Sequence, residues 1–278
     1  MNSAPLKYAD LHLHTLFSDG TYSPAELILG AVKRDIMVIS VTDHDTVDAV
    51  APALEAGKVN GVEVLPGIEL TAEYDGLEIH ILGYLIDYTD KALLEKLNSL
   101  KKDRVNRIYK IVDKLNGLGV KLSADSVFNL AKGGVAGRLH IARAMVKERL
   151  VGSTGEAFQR YIGDKCPAYV AGFRFSPQDA IKLIRGVGGI AVLAHPYLIR
   201  RDELILEFAG YGLMGLEVYY PEHTQAMVNF FLDLAKKYNL LVTGGSDCHG
   251  DAKPEVKIGS IKIPYILVEA LKAAGERL

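Results

Sequence analysis

The stretch YADLHLHTLFSDGT, residues 8–21, decides how the rest of the chain is read. His12 and His14 stand one residue apart in an otherwise largely apolar run. Side chains alternate across a β-strand, so both imidazoles project from one face, and Asp10 with them. Burying them requires partners for every ring nitrogen, which ordinary apolar packing does not supply and a metal ion does. Asp19 follows where turn-forming residues take the chain off the strand. A single histidine on a strand would more simply be a packed one; a pair on one face points to ligation.

The same chemistry returns wherever an apolar run ends. VTDHDT (41–46) sets His44 between Asp43 and Asp45, so that one ring nitrogen can bind metal while a carboxylate orients the other. PGIEL (66–70) ends the third strand with Glu69, whose two oxygens suit it to bridge two cations, and EIHILGYL (78–85) carries His80. Late in the chain VLAHP (192–196) presents His195, and VTGGSDCHG (242–250) presents Asp247 and His249, which face the same way if the strand stays extended. Cys248 between them then points away and reads as a small buried hydrophobe.

Strands are expected at 8–14, 38–42, 63–70 and 78–85, with helices at 24–34 and 47–58 between the first three. Strands follow at 188–196, 215–220 and 239–247, with helices at 177–185, 203–211, 224–238 and 264–274. Alternation of this kind predicts an α/β fold with a parallel sheet, and about seven strands suit a barrel better than an open sheet. In a parallel barrel the carboxyl ends meet on one face. His12, His14, Asp19, His44, Glu69, His80, His195, Asp247 and His249 then form one cluster. Six imidazoles and three carboxylates exceed the needs of one catalytic zinc, fit two ions and fit three best. Imidazole and carboxylate without thiolate favour Mn, Fe or Zn over Mg.

Residues 92–159 show helical periodicity and no convincing strand. Over 91–150, fourteen Lys or Arg face five Asp or Glu, although the whole chain is nearly neutral at −2. This predicts a basic helical insertion beside an acidic barrel, suited to an anion; a solvated helix surface is the plainer reading. Two distant cysteines make no disulfide framework, and neither a signal peptide nor a membrane-length apolar run is seen. A cytoplasmic protein with no membrane association and no obligate protein partner is expected.

In the motifs DLHLHTLFSDGT, VTDHDT, PGIEL, HILGY, LAHP and GSDCHG, taken in order from Asp10 to Gly250, the chain resembles the PHP family, named for polymerase-associated and histidinol phosphatase members. The resemblance implies a distorted (β/α)7 TIM-like barrel of the PHP type over residues 1–90 and 168–278. It also implies a mainly helical insertion, 91–167, covering the active face, and three divalent ions, Mn2+ foremost with Fe2+ or Zn2+ as alternatives. It assigns His12, His14, Glu69 and Asp247 to one ion, Asp19, His44 and His249 to a second, and Glu69, His80 and His195 to a third.

The segment GRLHIARAM (137–145) resembles the subgroup of nucleoside 3',5'-bisphosphate phosphatases and related 5'-3' exoribonucleases. Leu139 stands where that motif commonly has proline. The subgroup implies phosphate contacts from Arg138, His140 and Arg143, with His223 in EVYYPEHT (217–224) near the substrate. The plainer readings are an Arg143 solvated on the outer face and a His223 packed on Tyr219 and Tyr220.

The function implied is removal of the 3'-phosphate from nucleoside 3',5'-bisphosphates by metal-activated hydroxide, with His195, His223 and Glu69 as the catalytic groups. The alternatives are a 5'-3' exonuclease on short 5'-phosphorylated RNA or DNA, or another small-molecule phosphatase such as a histidinol phosphatase. The expected partner is a small phosphorylated nucleotide, with short single-stranded RNA or DNA as the second choice. A noncatalytic metal-stabilised binding domain and a hydrolase of C–N bonds are the readings from other classes.

Overall fold

Two βα units begin the chain: β1 (Tyr8–Leu13), α1 (Pro24–Val32), β2 (Ile36–Val41) and α2 (Val50–Asn60), leading into β3 (Glu63–Tyr74). This is a computed structural model, and it describes residues 7–171 and 175–278. The first six residues of the expected 1–90 segment, and residues 172–174, lie outside the described residues. Helix α1 starts where Pro24 predicts it. Ser23 Oγ accepts from Glu26 N at 3.3 Å and the Glu26 carboxylate accepts from Ser23 N at 2.7 Å, a reciprocal cap. Strands β1, β2 and β3 pair in parallel.

The alternation then breaks. β3 runs on past Leu70 and turns through Asp75 (φ 51°) and Gly76 (φ 74°) directly into β4 (Leu77–Tyr84). Positive φ at both central residues of a two-residue loop closes a tight hairpin, so β4 is antiparallel to β3. β5 (Ile190–Leu193) is antiparallel to β4, and parallel pairing resumes through β6 (Gly215–Tyr219) and β7 (Leu241–Gly244). An eighth strand of two residues, β8 (Ile263–Pro264), pairs antiparallel with β1. The result is an α/β fold with a nearly closed eight-stranded barrel. The chain beyond β7 completes it against β1: Asp247 N donates to His12 O at 2.8 Å, and His14 N to Cys248 O at 3.0 Å.

Closure leaves no room for a side chain at Gly245, where a Cβ would lie 2.3 Å from His12 N and 2.4 Å from His12 Cβ. Gly245→Ala is therefore expected to destabilise by about 1–3 kcal/mol. The check is a lower urea midpoint at unchanged m-value; an unchanged midpoint would show that β1 and the chain after β7 part at no cost.

Ala9, Leu11, Val38, Leu65, Leu82, Tyr84, Ile190 and Val192 form a buried cluster drawn from five strands, against which α10 (Tyr265–Gly275) packs Val268 and Leu271. Helices α7 (Pro177–Gly186), α8 (Glu203–Gly210) and α9 (Gln225–Lys237) cover β3 to β6 with a larger apolar layer. Cys248 packs with Leu13, Leu27 and Ile258 in the layer under α1.

The segment between β4 and α7 contains α3 (Lys91–Gly117), α4 (Ala124–Ala131), α5 (Arg138–Lys147), α6 (Thr154–Ala157) and a π-turn at Phe158–Ile162. It has a core of its own, including Ile108, Ile111, Leu115, Ile141 and Met145. The first half of α3 packs Leu93, Leu97 and Leu100 against the barrel layer instead, so one helix joins the two cores. Val135 N donates to Phe17 O at 2.8 Å, fastening the helical segment to the loop after β1. Among the described residues, no helix is long and apolar enough to cross a membrane.

Candidate metal centre

The nine side chains expected to gather do so. His12 Nε2 and His14 Nε2 are 3.1 Å apart at the end of β1. Glu69 Oε2 lies 3.3 and 3.2 Å from them, and Asp247 Oδ1 3.5 and 3.1 Å. A second focus has Asp19 at its centre, with Oδ1 3.2 Å from His249 Nε2 and 3.7 Å from His14 Nδ1, and Oδ2 3.8 Å from His44 Nε2. In the third, Glu69 Oε1 is 2.9 Å from His80 Nδ1 and 3.3 Å from His195 Nε2. His44 is shared, because its Nδ1 is 3.2 Å from Glu69 Oε2. Ligand atoms within 4.8 Å of one another group His14, Asp19, His44 and His249; then His12, His14 and Asp247; then His44, Glu69 and His80.

Strand direction explains the convergence. β1, β2, β5, β6 and β7 bring their carboxyl ends to this face, and β3, parallel to them, crosses it at Glu69. β4 runs the other way, so it is the amino-terminal half of β4 that delivers His80. Three residues where strands exit have left-handed backbone: Asp45 (φ 50°), His195 (φ 27°) and Asp247 (φ 53°). Such conformations cost roughly 1–3 kcal/mol each in a non-glycine residue and persist only where surrounding structure enforces them. The extension assumed through Asp247 thus fails at Asp247 itself. His249 still reaches the cluster, its Nδ1 bonded to Asp247 O at 2.8 Å.

These residues fit a group of cations. His44 Nδ1, His80 Nδ1 and His195 Nδ1 are buried without a hydrogen-bond partner. The first two lie close to Glu69 oxygens but off the direction a hydrogen bond needs. An unsatisfied buried nitrogen costs about 1–3 kcal/mol, which coordination would offset. Burial pushes the imidazoles of His12, His14 and His80 down, but the surrounding carboxylates outweigh it. His12 is held well above its ordinary value, His14 at about 9 and His80 at about 10. Cation binding must displace those protons.

Glu217, Tyr220 and Lys253 support the cluster without having been singled out as site groups from sequence. Glu217, fully buried in β6, bonds His12 Nδ1 at 2.8 Å and accepts from His195 N at 2.8 Å. Its signal was a lone carboxylate in the apolar run GLEVYY. Tyr220 and Lys253 donate to Asp247 Oδ2 at 3.0 and 2.9 Å. Asp43 accepts from Thr15 and Ser18, and Asp45 from Arg104 Nε at 2.6 Å, so these carboxylates brace the loops and neither orients the His44 ring, contrary to the expectation from their flanking positions. Asp10 is likewise a brace, accepting from Ser246 N and Gly259 N.

A cleft of about 240 Å³ opens above the cluster, lined by Arg104, Arg138 and Phe158 of the helical segment together with Tyr220 and Lys253 of the barrel. Of the fourteen Lys and Arg in 91–150, the two that line the cleft are paired with carboxylates. Arg104 is committed to Asp45, and Arg138 to Glu78 and Asp164 at 2.9 and 2.8 Å. Of the four residues expected to meet phosphate, Arg138 lines the cleft. His140 Nδ1 instead accepts from Gly137 N at 3.2 Å, capping α5, and burial pushes this imidazole down to about 4. Arg143 is half-buried, does not line the cleft and makes no ion pair among the described residues. His223 donates Nδ1 to Val218 O at 2.8 Å and stands one ring behind the wall, 5.4 Å from Tyr220, which is 5.4 Å from His195.

Comparison with known proteins agrees with this geometry. The PHP domain family matches residues 10–160. A 5'-3' exoribonuclease of Haemophilus influenzae is 34% identical over 248 residues, covering 87% of this chain and 90% of its own. A 3',5'-nucleoside bisphosphate phosphatase of Chromobacterium violaceum is 31% identical over 256 residues, covering 90% of each. Among solved structures, a candidate metal-dependent phosphoesterase from Bifidobacterium adolescentis superimposes with a TM-score of 0.87 at 30% identity, over 97% of this chain and 96% of that one.

Proposed function

Because the chain belongs to the PHP domain family, we propose that it is a metal-dependent phosphoesterase that removes the 3'-phosphate of nucleoside 3',5'-bisphosphates. The observation that carries this is the nine-residue cluster at the floor of a cleft walled by arginines, beside relatives that act on phosphoesters.

We assign His12, His14, Glu69 and Asp247 to one ion, Asp19, His44 and His249 to a second, and Glu69, His80 and His195 to a third. The ions are Mn2+ foremost, with Fe2+ or Zn2+ as alternatives. Bound divalent cations supply Lewis acidity toward phosphoryl oxygens and make water a nucleophile at neutral pH. The residues then have separable tasks. Glu69 presents both oxygens to the cluster and would serve as an anionic ligand to more than one cation. His195 lines the cleft with Nε2 3.3 Å from Glu69 and is the residue assigned to the proton of the leaving oxygen; His223, behind Tyr220, is the second choice. Arg138 meets the 5'-phosphate by exchanging Asp164 for it, a carboxylate about one-third exposed. His140 supports that wall by capping the start of α5, and Arg143 is proposed as a more distant phosphate contact. In this reading residues 1–90 and 168–278 are the (β/α)7-type barrel, and 91–167 cover its active face.

The test compares kcat/KM for a nucleoside 3',5'-bisphosphate with those for the 3'- and 5'-monophosphates. The bisphosphate is expected to be preferred by at least about tenfold, the equivalent of 1.4 kcal/mol from the second phosphate. Equal turnover of the monophosphates would remove two-phosphate recognition. The resemblance to the exoribonuclease supports a second reading, 5'-3' removal of nucleotides from short 5'-phosphorylated RNA. Mononucleotide release from 5'-phosphorylated trinucleotides, faster than bisphosphate hydrolysis, would establish it instead.

A further inference from the structure

We infer that Glu78 is a positioning residue, tying the arginines of the helical segment to one cation site through His80. The inference rests on the assignment of His80 to a cation given above and deepens it.

Glu78 lies two residues before His80 on β4, so the strand's alternation puts both side chains on one face. Its Oε1 is 3.0 Å from His80 Nε2 and 2.9 Å from Arg138 Nη2, while Oε2 accepts from Arg107 Nη1 at 2.7 Å. One carboxylate, 11% exposed, thus serves an imidazole of the cluster and guanidiniums from α3 and α5.

The two ends of His80 are then determined together. With Nε2–H donated to Glu78, the lone pair belongs to Nδ1, the atom 2.9 Å from Glu69 Oε1 and without a hydrogen bond of its own. A carboxylate behind a ligand imidazole fixes tautomer and ring orientation. On the other side, the arginines hold Glu78. Arg138 is also flanked by the rings of Phe158 and Tyr169, at 5.6 and 5.5 Å, so its head group is not free to drift. A purely structural Glu78, serving only to pin α3 and α5 to the hairpin, would leave cation affinity unchanged when the helices stay in place.

The experiment titrates Mn2+ alone into the full chain, without substrate, and reads bound ions per chain and their affinities. Wild type is compared with Glu78→Leu, which removes both oxygens, and Glu78→Gln, whose amide oxygen still accepts from His80. Glu78→Leu is expected to weaken one of three ions by about 10–100-fold, the usual effect of losing such a partner, and Glu78→Gln to retain most of that affinity. With bisphosphate as substrate, excess Mn2+ is expected to restore kcat in Glu78→Leu while KM stays raised, because Arg138 has lost one of its two carboxylate partners. Glu78→Asp, which keeps the charge but draws it back from His80, is the second variant should Glu78→Leu not fold, and it too should weaken one ion. Three ions bound equally well by wild type and by the folded variants would overturn the role of Glu78, as would Glu78→Gln losing as much as Glu78→Leu. Fewer than three ions on the wild type would overturn the cation assignment itself, with the role of Glu78.

Discussion

Glu69→Gln is expected to lower phosphoester turnover by about a thousandfold or more, while circular dichroism and a cooperative unfolding transition remain. Both Glu69 oxygens are engaged: Oε1 faces His80 and His195, and Oε2 faces His12, His14 and His44, all between 2.9 and 3.3 Å. An amide has the same shape but one oxygen and no charge. Its NH2 can donate to an imidazole lone pair, yet it cannot share that lone pair with a cation. Under the proposed assignment, two ion positions would therefore lose an anionic ligand together. Several kilocalories of transition-state stabilisation are at stake, and each 1.36 kcal/mol is tenfold in rate. The measurement pairs kcat/KM with bound metal per chain, so that lost catalysis is seen beside lost ions. Near-normal turnover at normal metal content in Glu69→Gln would mean that the reaction takes place elsewhere.

What could be read in advance depended on how local the cause is. Seven strands were visible because each is an apolar run, several ending at a histidine or carboxylate. β8 was not, since two residues before a helix carry no period. The nine clustered residues were legible because a parallel sheet brings strand ends together. His80 reached the same place by a different route, the Asp75–Gly76 turn reversing β4. The surplus of Lys and Arg in the helical segment was countable, but the pairing of the arginines that reach the cleft was not. Pairing Arg104 with Asp45, or Arg138 with Glu78 and Asp164, requires two cores to be docked. The same holds for His140 and His223. Sequence gives their chemistry, whereas tertiary packing decides whether a helix end or a ring stack takes up their nitrogens. Glu78 and Glu217 were detectable in principle, as charges in strands whose neighbours are apolar, but a charge in a strand reads equally well as a solvated edge.

Glu217 is where the second large effect is expected. Its carboxylate is fully buried, and it holds two elements at once, His12 through Nδ1 and His195 through its backbone N–H, each at 2.8 Å. These residues are assigned to different ions, so one side chain behind the cluster supports two sites. Glu217→Leu keeps the volume but leaves an imidazole N–H and a backbone N–H unsatisfied in a dry interior. Removing one partner of a buried charged pair costs about 3–5 kcal/mol, and losing the group that orients a ligand imidazole lowers metal affinity about 10–100-fold. Glu217→Gln should fall between. Its oxygen can accept from His12, but its NH2 then opposes the N–H of His195, donor against donor. The ordering wild type, Gln, Leu is expected both in the free energy of urea unfolding without metal and in Mn2+ affinity. A Leu variant as stable and as metal-avid as wild type would show that His12 and His195 hold their orientation without the carboxylate, and that the strained backbone at His195 is fixed by packing alone.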